Sequence, residues 1–268
     1  MTASATLCLS ARFRARYSPL KLMSNRSIDN VDRLAIRERP KGFPIMHQSW
    51  GKLLFMHWRI DEELLRPLVP ERLKIDTFEG DAWIGVVPFT MWNVRPSFTP
   101  PVPWLSEFHE LNVRTYVHYD GVPGVWFLSL DANSSVAVMG ARTVFNLPYF
   151  NADIELEQEG ERIDYSSTRT DEPPADFKAS WTIGKKLGQS DPASLDFFLT
   201  ERYCLYSVKG KRMNRLRIHH RPWILFDAEV SSYSSTMVES HGLPTPEGEP
   251  LLHYAEEIDV DFWSPDEV

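Results

Sequence analysis

Cysteine is almost absent: Cys8 and Cys204 are the only two in 268 residues. A disulfide framework needs several pairs and a cysteine-based zinc site several thiolates. Both are excluded, and a reducing compartment, the cytoplasm, is the expected location. Long apolar runs are missing as well. Nothing approaches the roughly 18 residues that a membrane helix requires, so no membrane partner is expected. Positive charge is in deficit, with 29 Lys and Arg against 37 Asp and Glu and a net charge of -8. An acidic body is repelled by polyphosphate, which argues against nucleic acid as a partner. No G-x-S-x-G elbow, Walker loop or dinucleotide fingerprint occurs, so no cofactor is expected. The eight histidines lack H-E-x-x-H or paired helical spacing. His219 and His220 are adjacent and face opposite sides of a strand, so no metal is expected either.

What is present is a globular composition, 43% hydrophobic and 25% charged, in a length that suits one large domain. Charge is unevenly spread. Residues 1–40 hold eight basic residues (Arg12, Arg14, Arg16, Lys21, Arg26, Arg33, Arg37, Arg39) against three acids (Asp29, Asp32, Glu38). That leaves 21 basic and 34 acidic residues in 41–268, so the body is distinctly acidic. Residues 1–28 have the Ser- and Arg-rich composition of a targeting segment or of a stretch upstream of a later start at Met23. The expected organisation is a basic, disordered extension over 1–40 and a single domain over 41–268, with a homo-oligomer compatible with both.

The body reads as strands punctuated by Pro and Gly. Strands are expected at Leu53–Ile60 and Ala82–Trp92, around a short helix that Asp61 caps, Glu62 and Glu63 favour and Pro70 ends. Ser97–Pro103 reads as a loop. Asn112–Tyr119 alternates cleanly, and the Asp120-Gly121 turn joins it to Val125–Ala132 as a hairpin. A helix through Val136, Met139, Ala141 and Val144 follows, capped by Ser134 or Ser135 and closed by Asn146 and Pro148. Further strands are expected at Ala152–Gln158, Arg162–Thr170, Phe177–Ile183, Arg202–Val208, Leu216–His219, Ala228–Tyr233 and Ile258–Phe262. A helix beginning at Asp191-Pro192 carries Leu195, Phe198 and Leu199. The fold class is α+β, mainly an antiparallel β-barrel or cone with a few short flanking helices.

The strand Asn112–Tyr119 carries the most informative pattern. Asn112, Arg114, Tyr116 and His118 share one face, while Val113, Thr115 and Val117 share the other. The polar row either meets water or points into the barrel. In the second case a guanidinium without a partner costs several kcal/mol, so Arg114 requires a protein carboxylate or an anionic ligand. Glu110 and Asp131 are the nearest carboxylates in sequence. Tyr149, at a helix-to-strand junction, is either a core aromatic or a hydrogen-bond donor to a ligand. Lys185-Lys186, between Gly184 and Gly188, reads as an exposed turn.

Several stretches together resemble a known family: E-L-N-V-R-T-Y-V (Glu110–Val117), S-L-D-A (Ser129–Ala132), A-R-T-V-F-N-L-P-Y-F (Ala141–Phe150) and F-L-T-E-R-Y-C-L-Y (Phe198–Tyr206). They are similar, in order and over about residues 45–263, to the YqjF-like domain family. That family is grouped with the acetoacetate decarboxylase-like superfamily. The resemblance implies a closed β-barrel or cone with a central cavity, lined by Glu110, Asn112, Arg114, Arg142 and Tyr149. It also exposes a departure. The decarboxylases carry G-F-P-K-K, with a Schiff-base lysine and a neighbour that depresses its pKa. Here the stretch is N-L-P-Y-F, and Tyr149 and Phe150 cannot form an imine. The expected function is binding of a small anionic or carbonyl-bearing metabolite, as an enzyme of undetermined reaction or as a non-catalytic interaction module. The module alternative expects side chains such as Trp126, Phe127 and Phe145 to fill the cavity. Covalent catalysis through another lysine requires Lys178, Lys185 or Lys186 to be buried.

Overall fold

The Asp120-Gly121 turn shows how local chemistry sets the sheet. Both residues take positive φ, 46° and 77°, the tight-turn geometry whose twist matches paired strands. The computed structural model describes residues 31–101 and 106–268, so the end of the expected Ser97–Pro103 loop lies outside the described residues. Strands are β1 (Met46–Gly51), β2 (Leu53–Ile60), β3 (Lys74–Ile75), β4 (Ala82–Pro96) and β5 (Phe108–Tyr119). β6 (Val122–Ala132), β7 (Tyr149–Glu159), β8 (Arg162–Arg169), β9 (Asp176–Gly188) and β10 (Cys204–Lys209) follow. β11 (Arg212–His219), β12 (Leu225–Ser235), β13 (Leu251–Ala255), β14 (Ile258–Phe262) and β15 (Asp266–Glu267) complete the set. The short helices are α1 (Glu62–Leu65), α2 (Ser135–Val144) and α3 (Leu195–Thr200). Each begins at a side-chain cap: Asp61 accepts from the Glu63 amide, Ser134 from Ala137 and Ser194 from Phe197.

All fifteen strands form one sheet, mostly antiparallel, whose pairing closes on itself twice. One path runs β1–β14–β11–β10–β6–β5–β4 and back to β1; the other runs β4–β5–β6–β7–β8–β9–β12–β13–β2 and back to β4. The two share β4, β5 and β6, so each shared strand has a hydrophobic core on both faces. That is why Ala82–Trp92 reads as nearly continuous apolar sequence. On β5, Leu111, Val113 and Val117 pack into a core with Trp181, Tyr165 and Phe177. The opposite face of β4 and β5 sends Val87, Phe89, Met91 and Phe108 into a second core with Ile258, Val260 and Phe262.

Several expectations change. The compact unit begins at Val31 rather than at 41. Ile36 is buried, Arg33 pairs with Asp76, and Arg39 binds Asp261 at 2.6 Å, so charges placed in a tail belong to the body. Lys185 and Lys186 lie on the exposed end of β9 rather than in a turn. In α2 the apolar residues Val136, Met139 and Val144 are exposed and Val138 is the buried one. β1 and β13 were not expected from the sequence: β1 is interrupted by polar Gln48 and Ser49, and β13 is too short for a clear period. Among the described residues no helix is long and apolar enough to cross a membrane.

Candidate functional site

Inside the first closed path the second core does not fill. A cavity of about 400 Å³ remains between β1, β4, β5, β6, β7 and α2, within the usual range for small-molecule sites. Its walls are mainly apolar, with Val87, Phe89 and Met91 from β4, Leu205 and Leu216 from β10 and β11, and Phe262 from β14. Ala137, Gly140 and Ala141 of α2 border it, small residues at helical spacing that leave the space open. Gln48 and Trp50 of β1 line it too. They satisfy each other, since the Trp50 indole donates to Gln48 Oε1 at 2.6 Å.

Into this apolar space β5 projects Glu110, Asn112 and Arg114, at every second position along one face. The polar row therefore points inward. Glu110 and Asn112 are buried, and the Tyr149 hydroxyl donates to Glu110 Oε2 at 2.7 Å from the first residue of β7. The Asn112 amide also favours the ionised form of the Glu110 carboxyl. Burial dominates over these two effects and, with a smaller push from the charge of Asp131, raises the Glu110 pKa to about 7. The Tyr149 hydroxyl is pushed well above its usual range by burial and by the neighbouring carboxylate.

Arg114 is the unusual member. Its Nε and Nη2 are buried and find no partner. The nearest carboxylates in sequence are engaged elsewhere: Glu110 by Tyr149, and Asp131 by a two-pronged ion pair with Arg169 on the far face of β6. Aromatic faces hold the guanidinium from the side, its carbon 5.3 Å from the Phe55 ring centre and 5.9 Å from that of Tyr116. Gly85 pairs with both His57 and Arg114 across the sheet. A Cβ there would sit 2.9 Å from the His57 ring, so the glycine is what lets that ring stand beside Arg114. The Tyr116 hydroxyl donates to the Leu199 carbonyl at 2.7 Å. His57 Nε2, 2.6 Å from the same oxygen, must therefore be the donor to it. Burial, aided by the charges of Arg114, His253 and Arg202, holds the His57 pKa well below the ordinary range, so the ring is neutral.

Arg142 stands apart from the cavity. It lines a separate surface depression, where Nε donates to the Tyr149 carbonyl at 2.7 Å and Nη2 binds Asp171 at 2.6 Å. It thus anchors the start of β7. Among the described residues no lysine lines the cavity, and Lys178, Lys185 and Lys186 are all exposed. The aromatic residues named as fillers leave the space open. Phe127 and Phe145 form its walls, and Trp126 donates to the Leu68 carbonyl outside it. Among the described residues no group of His, Cys, Asp and Glu gathers in a metal-holding arrangement. Sequence reasoning missed the wall from β1 and the α2 border; the spacing of Ala137, Gly140 and Ala141 is the signal that was there to be read.

A family model of uncharacterised conserved proteins, DUF2071, matches residues 47–259. The chain belongs to that family. It is also 46% identical over 224 residues to the uncharacterised protein YqjF of Bacillus subtilis, covering 84% of this chain and 93% of that one. Among solved structures, the enduracididine biosynthesis enzyme MppR complexed with pyruvate superposes with a TM-score of 0.58 at 13% identity, over 84% of this chain and 91% of the other. An acetoacetate decarboxylase from Legionella pneumophila gives 0.56 at 13% identity, over 93% and 98%. The fold is therefore acetoacetate decarboxylase-like. At such identities the likeness carries the fold and no residue roles.

Proposed function

We propose that this member of the family binds a small carboxylate in the cavity, which we read as the interior of a barrel or cone formed by the first closed strand path. The carrying observation is the pair of unpartnered donors on Arg114. Nε and Nη2 lie on one edge of the guanidinium, the edge that accepts both oxygens of a carboxylate in parallel. Arg114 is half-buried, but these two donors are shut away from water without a counter-ion, a cost that a bound carboxylate removes. Glu110, held by the Tyr149 hydroxyl, stands on the same cavity wall as a carboxyl able to take or give a proton near neutral pH. With no lysine on the wall, lyase or hydrolase chemistry without a covalent imine is the reaction class supported.

The test is a thermal-shift series with aliphatic and aromatic carboxylates, each against its neutral primary amide. Ligands that bind the folded state raise its apparent stability by mass action. Carboxylates should raise Tm while the amides leave it unchanged, and Arg114→Ala should abolish the shift. Equal shifts in the wild type and in Arg114→Ala would overturn the reading.

A further inference from the structure

One more polar atom of the cavity is unsatisfied. Asn112 Oδ1 is buried and has no hydrogen-bond partner. The same side chain favours the ionised form of the Glu110 carboxyl, an effect of an amide's nitrogen end, and the oxygen is the end left without a partner. An oxygen of this kind accepts and cannot donate, and among the described residues no donor completes it, so a ligand hydroxyl or amine is suited to it. Asn112 precedes Arg114 by two residues on the same strand face, about 7 Å along β5. The two unmet needs are thus of opposite kind and neighbouring: a pair of donors awaiting an anion, and an acceptor awaiting a donor. The remaining polar groups on the wall are already matched, Gln48 with Trp50 and Glu110 with Tyr149.

Building on the carboxylate reading, we infer that the ligand is a hydroxycarboxylate with an apolar body: its carboxylate seats on Arg114, its hydroxyl donates to Asn112 Oδ1, and its hydrocarbon part lies against Val87, Phe89 and Leu216. A ketone in the hydroxyl position has no proton to give and leaves Asn112 unsatisfied. An ammonium supplies protons but adds a second cation beside Arg114. The neutral hydroxyl alone meets the geometry and the charge. The apolar walls account for the rest of the molecule, because a short polar acid would leave that surface without contact.

Calorimetric titration of the full chain with octanoate, 3-hydroxyoctanoate, 5-hydroxyoctanoate and 5-oxooctanoate tests this. At least one hydroxy acid should bind about tenfold more tightly than octanoate, the worth of one buried neutral hydrogen bond, and the oxo acid should gain nothing. In Asn112→Leu the hydroxyl preference should vanish, read as the ratio of hydroxy-acid to octanoate affinity within the variant. Hydroxy acids that bind no better than octanoate, or a preference that survives in Asn112→Leu, would overturn the hydroxyl assignment and leave the carboxylate site standing. Failure of octanoate and all three derivatives to bind overturns the carboxylate site itself, and this inference with it. The comparison of ligands on the wild-type chain needs no variant to fold.

Discussion

The two faces of the shared strands solve the same problem in opposite ways. Each encloses a hydrophobic core, and each core contains an arginine delivered by a strand. On one side Arg169 meets Asp131 through Nε and Nη2, with Nη2 to Oδ2 at 2.9 Å and both side chains fully buried. The Phe150 ring covers the guanidinium, its centre 4.1 Å from the guanidinium carbon, and the Pro173 carbonyl accepts from Nη1 at 3.1 Å. On the other side Arg114 has the same two nitrogens free on the wall of a cavity, with the Phe55 and Tyr116 rings at its flank. A buried cation is tolerated when its partner is built in; a pair of donors without one, beside open space, is what the proposed carboxylate site requires. On that proposal the contrast separates a structural arginine from a binding one without reference to any relative.

Breaking the built-in pair should have the largest effect. Asp131→Ala strands Arg169 in the filled core and should cost about 3–5 kcal/mol of stability in urea unfolding. Arg114→Met should cost nothing or add stability, since it removes a charge that the unliganded protein does not match. Equal losses in the two variants would erase the distinction between the two arginines.

Glu110 sharpens the comparison through pH. Its folded pKa of about 7 lies above the ordinary carboxylate value of 4.5, so between these values the folded chain holds a proton that the unfolded chain has released. Stability should then fall as pH rises from about 4.5 to 7. Glu110→Gln should flatten that slope and be more stable than the wild type, by a few kcal/mol, above pH 7. Carboxylate affinity should weaken as pH rises through about 7 in the wild type, where the folded chain releases the Glu110 proton and the ionised carboxyl repels an anion on the same wall, and should stay level in the variant. A slope that persists in Glu110→Gln would assign the titration to another group.

Gly85→Ala is the smallest change. Its methyl would press on the His57 ring at 2.9 Å, and a rigid core resists such insertion at a cost of about 1–3 kcal/mol. The disturbance should reach Arg114 through the shared row and weaken carboxylate binding, read by the same calorimetry. Unchanged stability and binding would show that His57 can shift freely and does not brace the arginine.

Much of this was legible beforehand. Leu53–Ile60 and Ile258–Phe262 match their strands, and the alternation of Asn112–Tyr119 placed Glu110, Asn112 and Arg114 on one side. Arg142 shared a motif with Tyr149 yet lies elsewhere, because adjacency at the helix-to-strand junction says nothing about which way a long side chain turns. The residues 31–40 looked like the rest of a basic tail, although Arg33 and Arg39 meet Asp76 and Asp261 far along the chain.

β4, β5, β9 and β11 run longer than expected, and α3 starts at a Ser194 cap rather than at Asp191-Pro192. By itself the sequence determined what is local and periodic: the place of most strands, the hairpin turn, the Asp61 cap, and the division of β5 into a polar and an apolar face. These follow from neighbours a few residues apart, whose spacing sets pleat and pitch. Whether the polar face met water, a protein carboxylate or an open cavity was decided only by the tertiary structure. Asp131 lies seventeen residues from Arg114 in sequence and is taken by Arg169 of β8, and the closing of the strand path around incompletely filling side chains leaves the space. Partner choice and unfilled volume are properties of the assembled sheet, and no window of the sequence contains them.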